Sequence, residues 1–195
     1  VATLALNTYR HLEMYYGISG MGAVTHTLNF RLHPEQAVYI INHAEDKIIF
    51  VELPFVPILE ALQDKLSTVE KYIILCEEDE LPETSLKNAI SYEAYIKDGD
   101  ENYKWPTLDD DAACALCYTS GTTGNPKGVL YSHKSNVIHA QAALTAMTIQ
   151  PDDTILMVVP LFHVLAWGIP YFGPMNGLKL VMPGMQMEGE PLYEL

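Results

Sequence analysis

Four hydroxyls, two glycines and a lysine crowd one short run of this chain: Thr119, Ser120, Gly121, Thr122, Thr123, Gly124 and Lys127. The residues in front of it, 112–118, are apolar and strand-like, and a helical pattern sets in from Ser132. A strand that opens into a hydroxyl- and glycine-rich bend exposes backbone N–H and side-chain O–H donors together, which is what an oligophosphate needs. Gly121 and Gly124 allow positive φ and close backbone approach, and Lys127 adds a mobile point charge. The spacing excludes the Walker A loop, in which Lys directly follows Gly and Ser or Thr directly follows Lys. Here Gly124 lies three residues before Lys127, and Gly128 comes after it. By composition alone the run fits equally well a Ser/Thr/Gly/Pro turn that only punctuates the chain.

Other residues with chemical potential have plainer explanations. Cys114 and Cys117 have a C-x-x-C spacing, but residues three apart on a strand point to opposite faces. A thioredoxin-type pair belongs at a helix N-terminus, and a zinc site would lack its second cysteine pair. Both are expected to be core cysteines. The acidic run 77–80 is expected to be a solvated loop, because no fixed metal geometry is evident in it. His163 stands alone among apolar residues, which by itself describes a core histidine. Trp105, in the polar stretch 98–111, is expected to be a packing anchor.

The elements that must position these groups alternate along the chain. An apolar strand at 1–6 leads to a helix capped by Asn7 or Thr8, whose apolar side includes Leu12, Tyr15 and Tyr16. A strand at 23–28 precedes a helix with Pro34 as its first residue and Ala37, Ile40, Ile41 and Ala44 on one face. A strand at 47–51, a helix opened by Pro57 and a strand at 72–76 follow. The stretch 84–97 is weakly helical, with Ser91 a cap for its last turn. After the hydroxyl run come a helix over 135–148 capped by Ser132, a strand at 154–159, an apolar segment through 175 and a strand at 178–182. This alternation predicts an α/β fold, a mostly parallel sheet flanked by helices on both faces. Ligands of such sheets bind at the carboxyl ends of strands, where both the run after Tyr118 and the segment after Val159 would lie.

At 195 residues the chain is long enough to bury a substantial core. Its formal charge of -14 argues against a nucleic-acid partner or an anionic membrane. A bound polyanion must then be held by local donors and a metal ion. Three cysteines make no disulfide framework and suit a reducing compartment, so a cytoplasmic location is expected. Residues 154–178 carry no Asp, Glu, Lys or Arg, but their prolines and glycines break them into pieces too short to span a membrane. No targeting segment is visible.

The string Tyr118-Thr-Ser-Gly-Thr-Thr-Gly-Asn-Pro-Lys127 closely resembles the phosphate-binding motif of the adenylate-forming (AMP-binding) enzymes. Val159-Pro-Leu-Phe-His-Val164, followed by Ala166 and Trp167, resembles a second motif of that superfamily. Met21 to Val24, Asn29 to Gln36 and Asn42 to Lys47 look like the early part of fatty acyl-CoA ligases of medium- and long-chain type, with methylthio-propionate ligases nearby. The resemblance implies a parent enzyme that activates a fatty acid with MgATP to an acyl-adenylate, releasing pyrophosphate, and transfers the acyl group to CoA. It implies that Thr119 to Gly124 contact nucleotide, that the Thr119 hydroxyl also contacts magnesium, and that Lys127 neutralises phosphate charge. It places His163 beside the acyl carbonyl and adenylate as a catalytic and substrate-binding residue, and Trp167 at the gate of an acyl tunnel. Leu165 stands where several relatives have Asn.

The superfamily's later motifs are not found. On this reading residues 1–195 are part of an N-terminal AMP-binding domain, cut at both ends and without the C-terminal domain. The piece alone is expected to be inactive. The rival reading is a non-catalytic module that folds, self-associates as a homodimer through bare apolar surface and does no chemistry; a ligase for a short methylthio or aryl carboxylate is a further alternative.

Overall fold

Strand residues sort by parity onto the two faces of the main sheet in the computed structural model, which describes residues 1–119, 125–187 and 189–195. In chain order the elements are β1 (Ala2–Leu4), α1 (Tyr9–Gly20), β2 (Thr25–Thr27), α2 (Pro34–His43), β3 (Ile48–Val51), α3 (Val56–Leu62), β4 (Lys71–Ile74) and β5 (Ala89–Ser91). They continue with α4 (Tyr92–Ile96), β6 (Ala113–Thr119), β7 (Lys127–Ser132), α5 (His133–Ala146), β8 (Thr154–Leu156), α6 (Ile169–Met175), β9 (Lys179–Val181) and α7 (Gly189–Tyr193). The main sheet has seven strands in the order β5-β4-β3-β1-β2-β6-β7. Every neighbouring pair is parallel except β6 with β7.

Ile49 and Val51 of β3, with Tyr72 and Ile74 of β4, pack on Ile40 and Ile41 of α2 and Leu59 and Leu62 of α3. Phe50 and Ile73, between them in sequence, face the other way onto Met14 and Ile18 of α1 and Tyr92 of α4. Both faces are therefore covered, as the alternation of elements predicts. The expected caps form: Thr8 accepts from the His11 N–H, Ser91 from the Ala94 N–H, and Ser132 and Ser135 make a reciprocal capping box. Pro34 opens α2 and Pro57 lies in the first turn of α3.

The structure differs from the sequence reading in several places. The stretch 84–97 holds a short edge strand, β5, before its helix; three residues are too few to show alternation. Residues 127–132, to which the sequence reading assigns no strand, are the edge strand β7, hydrogen-bonded antiparallel to β6. β8 and β9 do not join the main sheet but form a parallel pair of their own. On α1 the buried residues are His11, Met14, Tyr15, Ile18 and Ser19, while Tyr16 is exposed. The acidic run closes into one 3-10 turn, and Glu77 and Glu93 pair with Arg10. Trp105 leans on Gly20 but stays largely exposed, a surface cover rather than a buried anchor. No helix among the described residues is long and apolar enough to cross a membrane.

Candidate functional site

Thr119 ends β6 and pairs across the hairpin with Lys127, the first residue of β7. The Thr119 hydroxyl donates to the Lys127 carbonyl at 3.5 Å, and the Lys127 side chain is exposed. The two sequence-selected residues thus flank the mouth of one turn. Ser120, Gly121, Thr122, Thr123 and Gly124, which stand between them in sequence, lie outside the described residues. Gly128 is required by close approach: a Cβ there would meet Leu116 at 3.1 Å and the Tyr118 ring at 3.3 Å.

A cavity of about 170 Å³ opens at the carboxyl ends of the parallel neighbours β2 and β6. Asn29 and Leu32, which follow β2, line it with Cys117, Tyr118 and Thr119 of β6 and with Phe162, His163 and Val164. The fold therefore brings Thr119 and His163 to one cleft, although 44 positions separate them in sequence. His163 is exposed and not the core residue its apolar neighbours suggest. Trp167 does not line this cleft. It borders an adjoining cavity of about 440 Å³, and Tyr131 and Val164 form the shared wall.

The backbone after His163 is the least ordinary in the chain. Val164, Leu165, Ala166 and Trp167 have φ of 47°, 52°, 47° and 56°, and Gly168 has 80°, a full left-handed turn. Each non-glycine residue there costs about 1–2 kcal/mol, because its Cβ crowds the following carbonyl. The turn alternates its side chains: Leu165 and Ala166 are buried, while Val164 and Trp167 stand in solvent beside the two cavities. Gly168 has a second constraint, since a Cβ there would lie 2.6 Å from His139 Nδ1. Strain of this kind persists only where surrounding contacts over-determine it.

Three side chains from the first 27 residues hold the segment that leads into this turn, and sequence patterns do not mark two of them as anything but core. Thr8 caps α1, which leaves Asn7 free to bury its amide against the segment that follows β8. Asn7 Nδ2 donates to the Met157 and Val159 carbonyls at 2.6 and 2.9 Å, and Oδ1 accepts from the Leu161 N–H at 2.8 Å. The Tyr15 hydroxyl donates to the Leu161 carbonyl, and the Thr27 hydroxyl to the Phe162 carbonyl at 3.3 Å. The only sequence signal was a polar residue between an apolar strand and a helix whose cap was already supplied by its neighbour.

The cysteines behave as core. A bulge between Ala113 and Ala115 resets the alternation of β6, so Cys114 and Cys117 border one apolar cluster and not opposite faces. Burial pushes both thiols up, against the lowering effect of the Asn136 amide on Cys114 and of the Thr27 hydroxyl on Cys117. They are protonated at neutral pH and are neither nucleophiles nor zinc thiolates. Among the described residues no three His, Cys, Asp or Glu side chains converge on a metal position.

The sequence pattern of the AMP-binding enzyme family matches residues 1–192. The chain is 49% identical over 197 residues to a 3-methylmercaptopropionyl-CoA ligase of Ruegeria pomeroyi, covering 100% of this chain and 36% of that protein. It is 47% identical over 196 residues to a medium-chain-fatty-acid–CoA ligase of Ectopseudomonas oleovorans, with the same coverage of 100% and 36%. Its fold superposes with a TM-score of 0.82 on the luciferase-like enzyme of the nonluminescent mealworm Zophobas morio, at 20% identity over 99% of this chain and 43% of that one. The chain thus spans about a third of the length of the curated relatives it matches.

Proposed function

The chain belongs to the AMP-binding enzyme family, and we propose that it is the phosphate-loop-bearing part of an AMP-forming ligase that joins an aliphatic carboxylate to CoA. The observation that carries this reading is the shared cleft of Thr119 and His163 at the carboxyl ends of β2 and β6. In the proposed reaction a carboxylate oxygen attacks the α-phosphorus of ATP and pyrophosphate leaves. The CoA thiol then attacks the acyl carbonyl and AMP leaves. The chain's task in the first step is to position the phosphates and offset charge as pyrophosphate departs.

Thr119 sits at a strand end and offers its hydroxyl; Ser120, Thr122 and Thr123, which follow it in sequence, would add further hydroxyl donors. Lys127, on an exposed flexible stem across the hairpin, meets the outer phosphates as a mobile cation. His163, which lines the same cleft, faces the acyl carbonyl. Bound magnesium would neutralise phosphate charge. The described residues offer it the Thr119 hydroxyl, a hard oxygen donor suited to an ion that keeps phosphate and water ligands.

Relatives of near-equal identity are named for a short methylthio acid and for medium-chain fatty acids. We take the substrate to be an aliphatic acid of one of these two kinds, its chain directed past Trp167 into the adjoining cavity. The buried Leu165 makes that approach apolar. The deciding experiment is carboxylate-dependent ATP–pyrophosphate exchange on the 195-residue chain and on the same chain completed to the length of its relatives. Exchange by the completed chain with 3-methylthiopropionate or octanoate supports the ligase; exchange by neither favours a non-catalytic module.

A further inference from the structure

We infer that Asn7 is a positioning residue for His163. The segment from Met157 to Leu161 leaves β8 without a strand partner on one side, and Pro160 interrupts it. Met157 and Leu161 are fully buried, so their backbone polar groups have no water to turn to. Asn is the side chain that answers this need. The Met157 and Val159 carbonyls can only accept, so both amide hydrogens point at them, and the remaining oxygen can only accept from the Leu161 N–H. All the bonding capacity facing the segment is used, which fixes the orientation of the amide.

Asn7 is itself immobile. It lies between the end of β1 and the cap of α1, and its own carbonyl accepts from the Gly184 N–H at 3.0 Å, beyond β9. A single residue therefore ties the main sheet to both sides of the small β8–β9 sheet. His163 is two residues past the last of its bonds, and the strained left-handed turn begins directly after. Without the amide, the buried Met157 carbonyl and Leu161 N–H and the half-buried Val159 carbonyl lose their partners, and the segment gains by shifting toward water. His163 would move with it, away from Thr119 across the cleft.

The consequence for chemistry rests on the reading of His163 given above. A displacement of about 1 Å in a reacting constellation costs on the order of a hundredfold in rate. In the complete protein, Asn7→Asp and Asn7→Ala should slow single-turnover adenylation about a hundredfold per folded molecule, with KM for ATP changed less than about threefold. Asp keeps the acceptor for Leu161 but sets a carboxylate against two carbonyls, so it should be no better than Ala. Carbethoxylation of His163, mapped by peptide mass, should change in rate in the same variants. Ile73→Val, a core change far from the cleft, serves as the control for lost stability alone. If Asn7→Ala does not fold, Asn7→Ser, which keeps one of the bonds, takes its place. Unchanged adenylation and unchanged carbethoxylation in the Asn7 variants, or losses no larger than in Ile73→Val, would overturn the inference. If His163→Phe leaves adenylation intact, the catalytic reading of His163 fails instead, and the carbethoxylation rate still decides whether Asn7 positions it.

Discussion

The Tyr118 hydroxyl and His43 Nδ1 share a hydrogen bond of 2.6 Å, joining the last turn of α2 to the end of β6 one residue before Thr119. Burial, then the nearby Tyr39 and Asp46, raise the pKa of Tyr118 above the usual tyrosine value, so the hydroxyl stays protonated. Its ring lies across Gly128 on the other strand and against the imidazole of His26. The strand that delivers Thr119 is thereby fixed by a side chain as well as by its ladder. Tyr118→Phe should lower stability by about 1 kcal/mol, the ordinary worth of such a bond. Urea unfolding reads this directly, and an unchanged midpoint would show the bond to be neutral.

His11 gives the chain a pH-dependent weakness. It is fully buried, with Nδ1 on the Leu6 carbonyl and Nε2 on the Thr3 hydroxyl, both at 2.9 Å. Burial lowers its pKa from 6.5 to about 4, and the Leu6 carbonyl only partly opposes that. The unfolded chain takes up this proton below about 6.5 while the folded chain does not, so protons favour unfolding there. Stability should be full above pH 6.5 and fall by on the order of 3 kcal/mol as pH drops to about 4, where the loss levels off. Carboxylates add their own slope, so the measurement is the difference between the parent chain and His11→Gln. A variant with the parent's full pH slope would contradict the assignment.

Gly168 is constrained twice, by its φ of 80° and by the His139 ring above it. Gly168→Ala should cost at least about 1–2 kcal/mol from backbone strain alone. Adding His139→Ala should recover the steric part and leave the conformational part. Full recovery in the double variant would mean that the left-handed turn is not maintained.

In the complete protein, the phosphate-neutralising role proposed for Lys127 predicts that Lys127→Ala slows adenylation by about tenfold or more and leaves thioester formation nearly untouched. Single-turnover assays separate the two steps. Equal slowing of both would exclude that role.

Trp167 stands 58% exposed at the border of the cavity that adjoins the cleft. Trp167→Ala should shift the preferred acid length by severalfold in kcat/KM, while the KM for ATP changes less than about twofold. A parallel drop for all acids would take Trp167 out of the acyl path.

The sequence by itself settled what depends on neighbours a few residues apart. Ser91 and Ser132 cap their helices because a hydroxyl reaches an N–H three positions on. Ile49, Phe50 and Val51 divide between two faces because a strand repeats every two residues. The hydroxyl run and the His163 motif were legible as contiguous strings. Tertiary structure alone decided the rest. It turned 127–132 into an edge strand, moved β8 and β9 to a sheet of their own and released Asn7 from a capping role. It also imposed positive φ on four residues that avoid it, Val164 to Trp167. The new role of Asn7 rests on bonds that span 150 and 154 positions of chain, and β8 finds its partner in β9 across a helix. Such bonds form only after the sheet has collapsed, so no local pattern of residue types can announce them.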